Sequence, residues 1–136
     1  GDGIPEDYVP EPEIRLSLYT RLLRLRGPEA IEALRDEVED RFGALPEAVE
    51  ALFAMARLRV DCVRLGVARL TGGPEGVAAD LRPGVRPGPM PAADGLVQRD
   101  GRVVLRRPAE DETARLALAT RLLEHLRKAA ERSARI

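Results

Sequence analysis

Carboxylates are the side chains with most chemistry to offer in this chain, and they crowd into one segment. Glu37-Val38-Glu39-Asp40-Arg41-Phe42-Gly43-Ala44-Leu45-Pro46 packs three acids into four positions, and Glu29, Glu32 and Asp36 lead into it. At about 100° per helical residue, Glu29, Glu32, Asp36 and Asp40 fall on one outward arc, with Glu37 on its flank. Ile31, Leu34, Val38 and Phe42 form the opposite, apolar face. Arg35 and Arg41 are the opposite charges within this helix. Paired carboxylates can exchange protons in acid–base catalysis where a cleft holds them, but an outward arc supplies no cleft. Two readings are left: a solvated face, or a docking face for a basic partner, since like charges three and four apart destabilise an isolated helix slightly.

Other candidates for chemistry stand alone. His125 needs a proton partner and an orienting group to act as a base, and Glu124 projects about 100° away from it on a helix. It reads as a solvated or partly buried surface histidine. Cys62 lies on a broad apolar helix face without a local His or a helix N-terminus to lower its pKa, so a small buried hydrophobe is preferred to a reactive thiol. One Cys and one His cannot provide three or four N/S zinc ligands, and no metal, cofactor or catalytic residue is expected. Gly72-Gly73-Pro74-Glu75-Gly76 joins two strands and lacks the Lys of a phosphate loop, which makes it a hairpin loop. Arg99, Arg102, Arg106 and Arg107 are the best candidates for phosphate contact. Three helices followed by a hairpin also suggest a winged helix, whose third helix would offer Arg57, Arg59 and Arg64 to DNA. Charge opposes that alternative: 22 basic and 23 acidic residues leave a formal charge of -1, and the acidic second helix would repel phosphates.

The elements that hold these residues follow from period and punctuation. Residues 1–12 carry Pro5, Pro10 and Pro12 and read as an extended N-terminal strap. Ile14, Leu18, Leu22 and Leu25 predict a helix over about 13–26, closed by Gly27-Pro28. Pro28 opens the second helix and Gly43 stops it. Pro46 opens a third, with Val49, Leu52, Phe53, Ala56, Val60 and Val63 as its stripe, Met55, Leu58 and Cys62 widening it, and Gly66 as its end. Residues 13–66 are thus a three-helix part. Strands at 67–70 and 76–81 predict one hairpin, and 96–99 with 102–106 a second, turned on Asp100-Gly101. Between them 82–95 is rich in Pro and Gly, including Pro91 and Gly95, and is read as a loop. A final helix over about 109–132 places Leu116, Ala119, Leu122, Leu123, Leu126 and Ala130 on one face. Glu110, Asp111 and Glu112 lie at its start, and Arg127, Lys128, Arg132 and Arg135 at its end, matching the macrodipole. The fold class is α+β: three N-terminal helices, two antiparallel β-hairpins forming a small sheet, and a long C-terminal helix, in a single domain of 136 residues. A start without Met suggests a piece of a larger multidomain protein. The lone cysteine and the absence of a secretory pattern favour a reducing cytoplasm.

Several ordered segments carry a family likeness. Ile4-Pro5-Glu6-Asp7-Tyr8-Val9-Pro10, Arg15-Leu16-Ser17-Leu18-Tyr19, Asp40-Arg41-Phe42-Gly43 with Pro46, and Ala56-Arg57-Leu58-Arg59 leading to Leu65-Gly66-Val67 resemble the carboxy-terminal domain of the bacterial transcription-repair coupling factor (Mfd) family. The likeness is dense over roughly the first 70 residues and thin after that. The family commonly has an apolar helical segment where this chain has 82–95. The resemblance implies a non-catalytic regulatory module of a multidomain, ATP-driven DNA translocase that engages stalled RNA polymerase. It implies docking on the amino-terminal UvrB-like module of the same polypeptide, which masks the surface that binds UvrA. On that reading Glu37, Asp40 and Arg41 make the interdomain contact, and Glu29, Glu32 and Asp36 extend it.

Overall fold

The computed structural model describes residues 3–90 and 95–134. Pro91 in the predicted loop and Arg135 at the end of the last helix lie outside the described residues. In chain order the elements are α1 (Pro12–Arg24), α2 (Pro28–Phe42), α3 (Glu47–Leu65), β1 (Val67–Gly73), β2 (Gly76–Leu81), β3 (Leu96–Arg99), β4 (Arg102–Arg106) and α4 (Glu112–Ala134). This is the expected α+β order. The chain divides into two compact units, Gly1–Val60 and Asp61–Ile136, with the boundary inside α3.

The first unit is helical, and its core is the sum of three apolar stripes. Leu18 and Leu22 of α1, Ile31, Leu34 and Val38 of α2, and Val49, Phe53, Ala56 and Val60 of α3 are buried together. Val9 joins them with no exposed surface. The segment before α1 is therefore not extended throughout, as the prolines suggested. It turns at Pro5, whose carbonyl accepts from the amides of Tyr8 and Val9, each at 3.1 Å, and the turn drives Val9 inward. Helix α2 ends where expected. Gly43 takes φ +96 and ψ -173, a conformation open to glycine and strained for other residues, and its amide still bonds the Glu39 carbonyl at 2.8 Å. On α3 the stripe is narrower than its composition implied: Met55 is 59% exposed.

The second unit is a four-stranded antiparallel sheet in the order β1-β2-β4-β3, with α4 packed against β1, β2 and β4. Both hairpins form as expected, and β2 beside β4 joins them. The predicted first strand ends too early at Leu70, because β1 runs on through Gly73. At the second turn Asp100 and Gly101 adopt φ values of 46 and 79, the paired positive angles that suit a two-residue hairpin. Alternation sends Val77, Ala79, Val103 and Leu105 to one buried face. A Cβ on Gly72, which is paired with Val77, would lie 3.5 Å from Arg115 of α4, so this is the helix-covered face. The buried positions of α4 are Leu118, Ala119, Leu122, Leu123, Leu126 and Ala129. The predicted Leu116 is half-buried and Ala130 exposed; the buried residues there are Leu118, two positions on, and Ala129, one position back. The helix also starts later than predicted. Asp111 caps it, its Oδ1 accepting from the Ala114 amide at 2.8 Å. Val63, near the end of α3, is 67% exposed and not part of a core stripe. No helix forms over 82–90. Gly88 there approaches α4 so closely that a Cβ would stand 2.4 Å from the Ala129 carbonyl oxygen, and Arg132 donates to the Pro89 carbonyl at 3.0 Å.

Candidate protein-interaction site

The acidic face of α2 is built by the burial of its other side. Ile31, Leu34 and Val38 are 2–3% exposed, and they fix the rotation of the helix. Helical geometry then presents Glu29, Glu32, Asp36 and Asp40 outward, all of them exposed, over about 16 Å of helix length. None of these four forms a salt bridge with a described residue. Glu37, Asp40 and Arg41 occupy neighbouring positions three and four apart and are likewise exposed. The structure thus groups the six predicted residues on one solvent-facing surface.

Glu37 differs from the other acids in having a partner that sequence spacing could not reveal. Arg21 of α1 grips its carboxylate at both oxygens, at 2.5 and 2.8 Å. The hydrogen bond from Arg21 holds the Glu37 carboxyl below its ordinary value, and the same bond raises the Arg21 guanidinium. Both side chains are about half exposed, at 46% and 48%. Arg35, the other predicted internal counter-charge, turns instead to Glu50 of α3, whose carboxylate raises it.

The C-terminal end of α2 is braced from below. The Arg41 guanidinium lies 5.0 Å from the centroid of the Phe42 ring, within cation–π range. Phe42 meets Tyr8 at a centroid distance of 5.9 Å and a tilt of 53°. Tyr8 then donates to the Gly43 carbonyl at 2.6 Å, tying the N-terminal turn to the helix stop. Burial, then the charge of Glu39, raises the Tyr8 phenol, so it stays a donor at neutral pH. Neither Arg21 nor Tyr8 belonged to the predicted site. The Tyr8–Phe42 pairing had a faint signal in the two aromatics of the chain's best-marked segments; Arg21 had none.

The remaining candidates disperse. Cys62 is half-buried, and burial followed by the charge of Asp61 pushes its thiol up, away from the reactive thiolate. His125 is half-buried on α4, while Glu124 pairs with Arg127 and Lys128. Among the described residues no three His, Cys, Asp or Glu side chains converge as metal ligands, and no helix is long and apolar enough to cross a membrane. On α3, Arg59 donates to the Leu22 carbonyl at 2.9 Å and Arg57 is also engaged, so the arginine row needed for a groove-reading helix is not presented as a set.

The TRCF domain family model matches residues 3–89. The chain is 36% identical over 73 residues to the transcription-repair-coupling factor of Escherichia coli, a segment that is 54% of this chain and 6% of that protein. It is 40% identical over 68 residues to the transcription-repair-coupling factor of Mycobacterium tuberculosis, 50% of this chain and again 6% of the relative. A crystal structure of the C-terminal domain of transcription-repair coupling factor superposes with a TM-score of 0.73, covering 95% of this chain and 88% of that one at 15% identity.

Proposed function

Because the chain belongs to the TRCF domain family, by a match across residues 3–89, we propose that it is the regulatory docking domain of a bacterial transcription-repair coupling factor. In this reading it acts in the cytoplasm as a non-catalytic module. The acidic face of α2 clasps the amino-terminal UvrB-like module of the same polypeptide and masks the surface that would bind UvrA, until engagement of stalled RNA polymerase releases the clasp. The observation that carries the reading is the pre-set patch Glu37, Asp40 and Arg41, flanked by carboxylates without salt-bridge partners among the described residues. Exposed ion pairs contribute roughly 0–1 kcal/mol each, which suits a contact that must open. Glu29, Glu32 and Asp36 extend the patch and raise the field around it without needing close contact.

Substituting Glu37→Arg and Asp40→Arg in the full-length protein tests the reading. Folding of the domain should persist, because both residues are exposed, and capture of UvrA by the full-length protein should increase. Unchanged capture in a pull-down, with circular dichroism unaltered, would mean that α2 is not the clasp.

A further inference from the structure

Helix α1 carries apolar side chains on two sides, and the core takes only one set. Ile14, Leu18, Leu22 and Leu25 pack into the helical core. Leu16 and Leu23 stand on the other side, 67% and 68% exposed, and no other leucine among the described residues is as open to solvent. A single exposed leucine needs no explanation, but these two are seven residues apart, on one line along the helix and about 10.5 Å from each other. Thr20 lies between them and is exposed as well. Leu16, Thr20 and Leu23 follow the spacing of a helix-pairing seam, four residues and then three.

Charge along the same helix is segregated. Glu11 and Glu13 stand at its start, Arg24 and Arg26 at its end, all four exposed and none in an ion pair with a described residue. Eleven residues make three helical turns and about 20°, so Glu13 and Arg24 share one flank of the leucine line. The other arginines of α1 are occupied. Arg21 is turned to Glu37 of α2, and Arg15 donates to the carbonyls of Val9 and Pro10.

We infer that this face is a contact between two copies of the chain, with α1 packed antiparallel on α1 about a two-fold axis near Thr20. Such an axis brings each flank of the helix against its own copy. Leu16 of each copy then meets Leu23 of the other, and Glu13 of each meets Arg24 of the other, with Glu11 and Arg26 in line beyond them. A parallel pair would set Glu13 against Glu13 and Arg24 against Arg24, so the charges select the antiparallel orientation. The helix dipoles are opposed in the same arrangement. Every group that complements the face lies on the face itself, which is what a second copy supplies. The 13 residues of α1 span about 20 Å, so the contact is smaller than the roughly 1,200 Å² of stable interfaces and is a reversible one, populated near about 0.1–1 mM. It uses no residue of the α2 patch and does not depend on the proposed clasp.

Sedimentation equilibrium of the whole chain over about 0.02–2 mM at low salt tests the inference. A reversible monomer–dimer equilibrium is expected, weakening as salt rises, with concentration-dependent amide shifts centred on α1. Leu16→Ser/Leu23→Ser should leave a folded monomer throughout, since both side chains are exposed in the single copy. Glu13→Arg or Arg24→Glu alone should weaken association about tenfold, and the two together should return it to within about threefold of the original chain, because the exchange restores both pairs. Glu13→Gln and Arg24→Gln, each expected to weaken association severalfold, replace the reversals if those lose native circular dichroism. A chain that stays monomeric throughout, a dimer that survives the leucine substitutions, a charge exchange as weak as its single variants, or unchanged association in the glutamine variants overturns the inference.

Discussion

The bidentate contact between Arg21 and Glu37 makes a measurable demand on stability and on the proposed docking. Removing it one side at a time, with Arg21→Ala, Glu37→Ala and the double variant, isolates the pair's coupling energy from the change in helix propensity. Two charge-assisted hydrogen bonds place the pair at the strong end of exposed ion pairs, but both side chains are about half exposed, so solvent screens it. A coupling of about 0.5–1 kcal/mol at neutral pH and low salt is expected. Tyr8 and Tyr19 are the chain's two tyrosines, Trp is absent, and both rings belong to the first unit, so intrinsic fluorescence during urea unfolding reads the unit that holds the pair.

The pH dependence has a fixed sign. The Glu37 carboxyl is held below its ordinary value of 4.5 in the folded chain, so the coupling is fully present above that value and is lost as pH falls through the folded-state pKa. Arg21 is raised from a value already far above neutrality, so it keeps its charge throughout. The cycle should therefore give its full value at pH 7 and approach zero at strongly acid pH. The same variants separate two accounts of docking. A carboxylate read directly by a basic partner should bind less well in Glu37→Ala but no worse in Arg21→Ala, because losing Arg21 frees Glu37. If coupling is absent at pH 7, persists in acid, or if Arg21→Ala weakens docking as much as Glu37→Ala, the assigned role of Glu37 fails.

Three further outcomes test the second unit. Asp111→Ala should lower its stability by about 1 kcal/mol in thermal unfolding followed on the helix signal, since it removes the cap on Ala114. Gly76→Ala should cost more than about 1 kcal/mol and speed hydrogen exchange in both hairpins, because its φ is +145 and a Cβ would stand 2.2 Å from the Leu105 carbonyl oxygen. Cys62 should react with a disulfide reagent at pH 8 more slowly than glutathione does, and faster once the chain is unfolded, because burial and Asp61 both raise its thiol.

Local signals in the sequence reached most of the elements, and what they missed has a common cause. Pro28, Gly43, Gly66 and Asp100-Gly101 act on their own backbone, so the boundaries they mark were legible. The order β1-β2-β4-β3 was not, because β2 and β4 pair through a backbone ladder between residues far apart in sequence. Phase was the weaker part of the helix readings: Ala129 and Ala130 both fit a loose apolar stripe, and the packing of α4 on the sheet selected the first. Met55 and Val63 show the converse error, since apolar character alone does not place a side chain inside. In the candidate site the acidic arc could be read from spacing, whereas Arg21 was invisible because its partner lies on another helix.

A patch as small as Glu37, Asp40 and Arg41 can govern a clasp only if tethering supplies most of its strength. Within one polypeptide the effective concentration of a linked module is in the millimolar range, so a contact with a dissociation constant of about 1 mM is already half closed. Near that midpoint about 1.4 kcal/mol shifts the closed-to-open ratio tenfold. Two exposed ion pairs, at up to about 1 kcal/mol each, span that range. A larger apolar interface would close the clasp more firmly but would demand a correspondingly larger input to open it. The acids of α2, held outward by Ile31, Leu34 and Val38 and still accessible to solvent, therefore suit a switch poised near balance better than a permanent lid.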